Sequence, residues 1–174
     1  RDVVDQVGPG VTRFHMLTRK NDAPLDFDFD KVLEQSKDNP VFYVQYAHAR
    51  VHSVLRRARD AGLDITEAAL AKADLSKLDH EAELKVAHQI GEWPRLVEIA
   101  ARTNEPHRIA FYLYELASDF HSLWNRGNDE TSLRFVQEGD MATTAAKIAL
   151  ARAVAVVISA GLGILGVEPM EEMR

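Results

Sequence analysis

Apolar residues recur at steps of three and four in one segment after another from Asn39 onward, and this helical periodicity most constrains the fold. Asn39 is a predicted N-cap, Pro40 occupies the first helical position, and Gly62 is suited to end the first long helix. Successive amphipathic helices joined by short polar loops can bury their apolar stripes only against one another. The pattern therefore predicts an all-α fold, a helical bundle, for residues 39–174.

The helices of this bundle are bounded by prolines, glycines and polar loops. Pro94 interrupts one apolar pattern, because an internal proline removes a hydrogen bond and kinks the axis. The residues expected to be helical are 39–61, 65–71, 79–90, 94–103, 106–125 and 143–160.

Residues 1–38 follow a different pattern and are expected to be a short α/β tail of another domain, with the boundary after residue 38. Two short helices are predicted around the turn at residues 8–10. Residues 24–30 alternate strictly between apolar side chains and aspartate, which predicts a half-buried strand. Asp26, Asp28 and Asp30 could collect a cation, although a solvated strand face is the favoured interpretation.

Composition excludes several functional classes. The 174 residues include no cysteine, so disulfide frameworks, zinc ribbons and thiol nucleophiles are excluded, and a reducing cytosol is compatible with the sequence. A net charge of −6 excludes a uniformly basic nucleic-acid-binding surface but leaves room for a local basic face. The longest uncharged apolar run, residues 153–167, falls short of the ~20 residues of a membrane-spanning helix and is predicted to be a buried core helix.

Two motifs have a chemical and a structural interpretation. Residues 161–166 have the glycine spacing of a dinucleotide-binding loop but follow a helix instead of a strand, which favours a closely packed helix end. His48 and His52 lie four residues apart and could hold a metal, but the sequence offers no third ligand, so a metal-dependent enzyme is the weaker interpretation. No catalytic constellation was found in the sequence.

Aromatic residues interleaved with arginine mark two of the helices. Aromatic faces can stack on unpaired RNA bases while arginine holds phosphate, although aromatic residues in a helical stripe more often belong to a core. Tyr43, Tyr46 and Arg50 share one helix face, as do Phe120 and Trp124. The two interleaved sets are Phe42, Tyr43, Tyr46 and Arg50 on one helix, and Tyr112, Tyr114, Phe120, Trp124 and Arg126 on the other.

Residues 39–50, with the sequence NPVFYVQYAHAR, resemble the opening helix of the anticodon-binding domain of arginyl-tRNA synthetases, which are class I enzymes with a DALR-type domain. The resemblance covers nearly the whole chain. It is also carried by residues 7–8, 13–17, 25–28, 105–107, 112–117, 120–121 and 161–167 and by Met173.

The resemblance implies a fragment of an arginine-tRNA ligase, a cytoplasmic enzyme that uses ATP and Mg²⁺. Its catalytic half would lie outside residues 1–174, because the nucleotide-binding and lysine signature motifs are not found here, so no cofactor and no catalytic residue are expected in this segment. The implied partners are arginine tRNA, through its anticodon loop, and the catalytic domain. No membrane association is expected. The implied tRNA-binding residues are Tyr43, Tyr46, Arg50, Phe120, Trp124 and Met173.

A helical protein-interaction module that buries these aromatic residues is the alternative from a different class. Arg50, Arg56, Arg57 and Arg59 cluster along the opening helix and predict that RNA binding depends strongly on salt, whereas an apolar groove would respond little.

Overall fold

A computed structural model describes residues 2–19, 32 and 38–173, and the regular elements in these residues are all helical, which confirms the all-α fold. The strand predicted at residues 24–30, with Asp26, Asp28 and Asp30, lies outside the described residues. The helices are α1 (Asp2–Val7), α2 (Pro9–Leu17), α3 (Pro40–Asp60), α4 (Glu67–Leu70), α5 (Glu81–Gly91), α6 (Trp93–Thr103), α7 (His107–Asp129) and α8 (Met141–Ile164), with 3₁₀ turns at Leu75–Lys77 and Thr131–Leu133.

Local sequence signals set the ends of α3 as predicted. The Asn39 side chain accepts a hydrogen bond from the backbone N–H of Phe42 at 3.4 Å, and Pro40 begins the helix. Gly62 follows the C-terminus with φ at +94°, a conformation that glycine adopts without a steric penalty. Pro94 lies in the first turn of α6, where a missing N–H costs nothing, so the predicted break between α5 and α6 is also confirmed.

The core lies where α3, α7 and α8 pack against one another, with α5 completing the bundle. Val44 on α3, Leu113 on α7 and Ile158 on α8 are each fully buried. Burial of such a side chain stabilises the fold by roughly 1.5–3 kcal/mol. These three helices therefore form the rigid frame on which exposed side chains are positioned.

Helix α8 extends four residues beyond its predicted end and continues through Gly161 and Gly163 to Ile164. A Cβ atom at Gly161 would stand 2.7 Å from Cδ2 of Leu113, so glycine permits the close approach of α7 and α8. By length and composition alone α8 could cross a membrane, but 56% of its most apolar window is buried inside the bundle. The predictions of a core helix and of a closely packed glycine-rich helix end are confirmed.

The N-terminal helices include the predicted pair around residues 8–10, and α2 packs against α3 and α7. Phe14 of α2 is fully buried in the same core. Nη1 of Arg13 donates a hydrogen bond to the backbone oxygen of Gly166 at 3.0 Å. The domain boundary after residue 38 stays a prediction, and α2 contributes to the packing of the bundle.

A buried ion pair links α5 to α8. Nζ of Lys147 contacts Oε1 of Glu83, and both side chains are almost completely buried. Oε2 of Glu83 also accepts a hydrogen bond from the backbone N–H of His80, which caps the start of α5. Each charge is therefore compensated within the core.

Candidate nucleic-acid interface

The guanidinium of Arg50 lies between two aromatic rings contributed by different helices. Its Cζ atom is 4.4 Å from the ring centre of Tyr46, one turn earlier on α3, and 5.2 Å from the ring of Trp124 on α7. Both distances are within the range of a cation–π attraction. The contacts hold a positive charge between two large aromatic surfaces.

His121 also contacts Arg50. Nη1 of Arg50 lies 3.0 Å from Nδ1 of His121, and Nε2 of His121 lies 3.2 Å from the backbone oxygen of Tyr43. Because arginine only donates and a carbonyl oxygen only accepts, His121 must be neutral with its proton on Nε2. Burial lowers the pKa of His121 to about 4, and the charge of Arg50 acts in the same direction.

An open groove of about 480 Å³ lies beside this arrangement. Tyr46, Arg50, Trp124 and Met173 line it, so four of the six predicted site residues meet in one place although they come from three separate parts of the chain. Such a volume is within the range of small-ligand sites. Planar aromatic walls beside a guanidinium are suited to an unstacked nucleobase and its phosphate.

The other two predicted site residues lie outside the groove. Phe120 is fully buried, with its ring centre 6.3 Å from that of Trp124 and 5.6 Å from that of Phe135. In this conformation Phe120 cannot touch a ligand and instead supports Trp124 from the core, which corrects the expectation of a direct contact. Tyr43 is half-buried, with its ring 4.5 Å from His121 and 5.1 Å from Tyr114.

The remaining members of the two aromatic sets have structural contacts. Tyr112 is buried, its hydroxyl donates to the backbone oxygen of Gln89, and burial raises the pKa of that hydroxyl. Arg126 forms an exposed ion pair with Glu81 at 3.1 Å. The ring of Phe42 stacks on Tyr46 with 5.9 Å between centres and extends the aromatic surface beside the groove.

Met173 reaches the groove because the C-terminal segment, residues 167–173, runs along α3. Nε2 of Gln45 donates to the backbone oxygen of Glu168 at 3.0 Å, and Nδ1 of His48 lies 2.8 Å from the backbone oxygen of Met170. Two contacts continue along the helix: Nδ1 of His52 lies 3.9 Å from Oε2 of Glu171, and Arg56 forms an ion pair with Glu172 at 3.6 Å. The helical periodicity does not predict this docking.

The contacts with the C-terminal segment give His48 and His52 a structural role. Their ring centres are 4.6 Å apart, and burial is the largest cause that lowers the pKa of each imidazole. Because a carbonyl oxygen accepts, His48 donates its Nδ1 proton to Met170. Within the described residues no group of three side chains could hold a metal ion, and the two histidines anchor the C-terminal segment.

Positive charge is concentrated near the groove despite the net charge of −6. Arg50 and Arg56 line it, Glu172 is the one carboxylate among its described lining residues, and Arg57 and Arg59 are exposed further along α3. A phosphate that approached this face would meet the locally basic surface that the sequence predicted.

Sequence reasoning missed His121 and Phe135. His121 adjoins Phe120, but nothing in the periodicity shows that its ring nitrogens link Arg50 to the backbone of α3. Phe135 follows the turn Thr131–Leu133, where no helical pattern assigns it to a face, and only the tertiary fold brings its ring 6.0 Å from Trp124.

The fold and the groove define an all-α domain with an aromatic surface suited to unstacked bases. The family of the DALR anticodon binding domain matches residues 44–173, and the chain belongs to this family.

Similar proteins cover the whole chain. The chain is 78% identical over 174 residues to an arginine–tRNA ligase of Ruegeria pomeroyi. It is 72% identical over the same length to the arginine–tRNA ligase of Paracoccus denitrificans. The chain spans 30% of the length of each of these relatives.

Solved structures share the fold. A structure described as an arginyl-tRNA synthetase from Campylobacter jejuni superimposes with a TM-score of 0.85 at 28% identity, over 99% of this chain and 35% of the other. The arginyl-tRNA synthetase of Thermus thermophilus gives a TM-score of 0.74 at 26% identity, over 97% of this chain and 27% of the other.

Proposed function

We propose that this domain binds the anticodon loop of arginine tRNA as part of a cytoplasmic arginine–tRNA ligase. The observation that carries the proposal is the convergence of Tyr46, Arg50, Trp124 and Met173 on one groove. Membership of the DALR family and the high identity to arginine–tRNA ligases support it. Attachment of arginine, with ATP and Mg²⁺, is assigned to a catalytic domain outside these residues.

In this proposal an unstacked base enters the groove beside Tyr46 and Trp124. Each stacked base contributes roughly 1–3 kcal/mol to binding. The Met173 side chain is flexible and polarisable and closes over the base. Tyr43 acts indirectly. Its backbone oxygen accepts a hydrogen bond from Nε2–H of His121 and so fixes the orientation of the imidazole that contacts Arg50.

Arg50 supplies the specific contact. An arginine has five N–H donors in a planar fork, and the contact with His121 uses one of them. The others can bind a base edge or a phosphate. A guanidinium held by two rings and one imidazole loses less conformational entropy on binding than a flexible one.

The test compares the affinity of the 174-residue chain for an arginine tRNA transcript with its affinity for a transcript whose second anticodon base is changed. Two salt concentrations separate phosphate contacts from base contacts. We expect the base change to weaken binding about tenfold, the equivalent of one lost base site. Binding of the correct transcript should also fall steeply with salt.

Arg50→Gln is the informative variant and Arg102→Gln its matched control, because Arg102 is exposed on α6 and paired only with Glu98 in the described contacts. The first substitution should abolish most of the discrimination and the second should leave it intact. Equal affinity for both transcripts, or binding that salt does not weaken, would contradict the proposal and favour a protein-interaction module.

A further inference from the structure

Trp124 borders a second cavity besides the groove. This cavity has a volume of about 280 Å³, and the side chains of Val54, Leu133 and Phe135 supply apolar walls. Arg57 from α3 and Arg134 from the segment after α7 also line it. A single indole ring is therefore shared by two adjacent concave sites.

Hydrogen bonds from the chain after α7 hold this second cavity in shape. Nε of Arg134 donates to the backbone oxygen of Gly127 at 3.1 Å. Nε2 of Gln137 lies 2.7–3.0 Å from the carbonyl oxygens of Thr131, Ser132 and Arg134. The cavity is thus preformed, so a ligand does not have to order the loop first.

The charge around the cavity selects the chemistry of its ligand. Arg57 and Arg134 are both exposed, and none of the described residues that line the cavity carries a carboxylate. The rings of Trp124 and Phe135 lie 6.0 Å apart between centres at an interplanar angle of 36°. A planar, weakly polar ring that carries an anion fits this combination, and a nucleotide has both parts.

We propose that the cavity lined by Trp124 and Phe135 binds a second unstacked nucleotide of the same RNA strand, with its base in the cavity and its phosphate at Arg57 and Arg134. The inference rests on the proposed function, because the proposed function identifies the RNA strand as the anticodon loop of arginine tRNA. Trp124 then separates two neighbouring base sites, and the two arginines contact the backbone as it passes along α3.

The first experiment needs no tRNA. The 174-residue chain is titrated with the four nucleoside 5′-monophosphates and with the corresponding nucleosides, while NMR follows the methyl groups of Val54 and Leu133 and the indole N–H of Trp124. We expect these signals to shift together and the monophosphates to bind several-fold more tightly than the nucleosides. The double variant Arg57→Gln, Arg134→Gln should remove that preference, whereas Arg102→Gln, exposed on α6, should retain it.

The second experiment uses tRNA transcripts that carry one abasic nucleotide at each position of the anticodon loop in turn. We expect two neighbouring positions to weaken binding about tenfold each. The arginine double variant should reduce the loss of affinity caused by the abasic nucleotide at one of these positions. Arg50→Gln should reduce the loss of affinity at the other position. Val136→Trp, which fills the cavity from its rim, should resemble the arginine double variant, and circular dichroism confirms that each variant is folded.

The outcomes separate the two proposals. If the transcript binds but only one abasic position matters, or if the arginine double variant binds like the parent, the second site is wrong while the proposed function stands. If the monophosphates shift the cavity signals but no transcript binds, the nucleotide site stands and the proposed function falls. If neither ligand binds, both are wrong.

Discussion

Arg50 and His121 are joined by a contact of 3.0 Å between Nη1 and Nδ1 that exists only while the imidazole is neutral. The partner on the opposite ring nitrogen is a carbonyl oxygen of α3, so His121 ties the cationic residue of the groove to the backbone of the same helix. The position of the arginine therefore depends on the protonation state of a residue on α7.

Low pH should destabilise the domain through His121. Its pKa is about 4 in the folded protein, against an ordinary value of 6.5, so the unfolded chain binds the proton more tightly. The stabilising contribution is complete above pH 6.5 and is lost as the pH falls toward 4. Glutamine at this position keeps one acceptor and one donor but does not titrate. Between neutral pH and about pH 4.5, the unfolding free energy of His121→Gln should therefore fall by about 2–3 kcal/mol less than that of the parent protein.

Urea denaturation at each pH measures this difference. The pKa values of His15, His48 and His52 are also lowered, but both proteins contain these residues, so the difference between the two pH profiles reports on His121. Identical pH profiles for the parent and the variant would contradict the assigned neutral state.

Trp124→Ala should weaken binding to arginine tRNA about tenfold, because one stacking surface worth roughly 1–3 kcal/mol is removed. Trp124 is only half-buried, so the helical circular dichroism should be retained. Filter binding and circular dichroism on the same sample provide the test. Loss of the fold together with binding would instead assign Trp124 to the core.

Phe120→Ala should behave in the opposite way. The side chain is fully buried, and its removal should lower the unfolding free energy by about 3–5 kcal/mol. Phe120→Leu, which keeps more of the volume, is the milder comparison. Both are measured by chemical denaturation, and a Phe120→Ala protein of unchanged stability with impaired RNA binding would refute the core position.

Gly161→Ala and Gly163→Ala should have effects of opposite sign although the two residues lie in the same turn of α8. A Cβ atom at Gly161 would stand 2.7 Å from the buried side chain of Leu113, and such overpacking costs about 1–3 kcal/mol. A Cβ atom at Gly163 would meet no atom within 4 Å of those described. Alanine there should stabilise the helix by about 0.5–1 kcal/mol. Thermal denaturation of both variants tests this, and equal shifts would contradict it.

Lys147→Met should destabilise the protein by about 3–5 kcal/mol, because it leaves the buried carboxylate of Glu83 without its partner. The double variant Glu83→Gln, Lys147→Met removes both charges and keeps an acceptor for the backbone N–H of His80. It should recover most of the loss. Denaturation of the single and double variants forms the cycle, and additive losses would show that the ion pair is not coupled.

Local signals predicted most of the helical bundle. Asn39, Pro40, Gly62 and Pro94 each act through the backbone of their own turn, so their effects can be read without the tertiary fold. The sequence pattern predicts an end of α8 that is four residues too early, because glycine normally weakens a helix. The close contact between Gly161 and Leu113 outweighs this tendency, and that contact is visible only in three dimensions.

The site was predicted less completely. A helical period showed that Phe120 and Trp124 share a face but not that one is fully buried and the other borders two cavities. Depth depends on Phe135, which packs on both rings from a turn with no helical pattern. The ion pair of Glu83 with Lys147 joins residues on two separate helices, a pairing that no local spacing predicts.

The docking of the C-terminal segment on α3 has a kinetic consequence. Gln45 and Glu168 are 123 residues apart in the chain, and His48 and Met170 are 122 apart. Helical turns form within microseconds from contacts between residues that are close in sequence. Contacts between such distant residues form more slowly, because closing a long loop costs conformational entropy. We therefore expect helix content to develop before the wall that includes Met173, so that the groove becomes competent to hold RNA only in the last phase of folding.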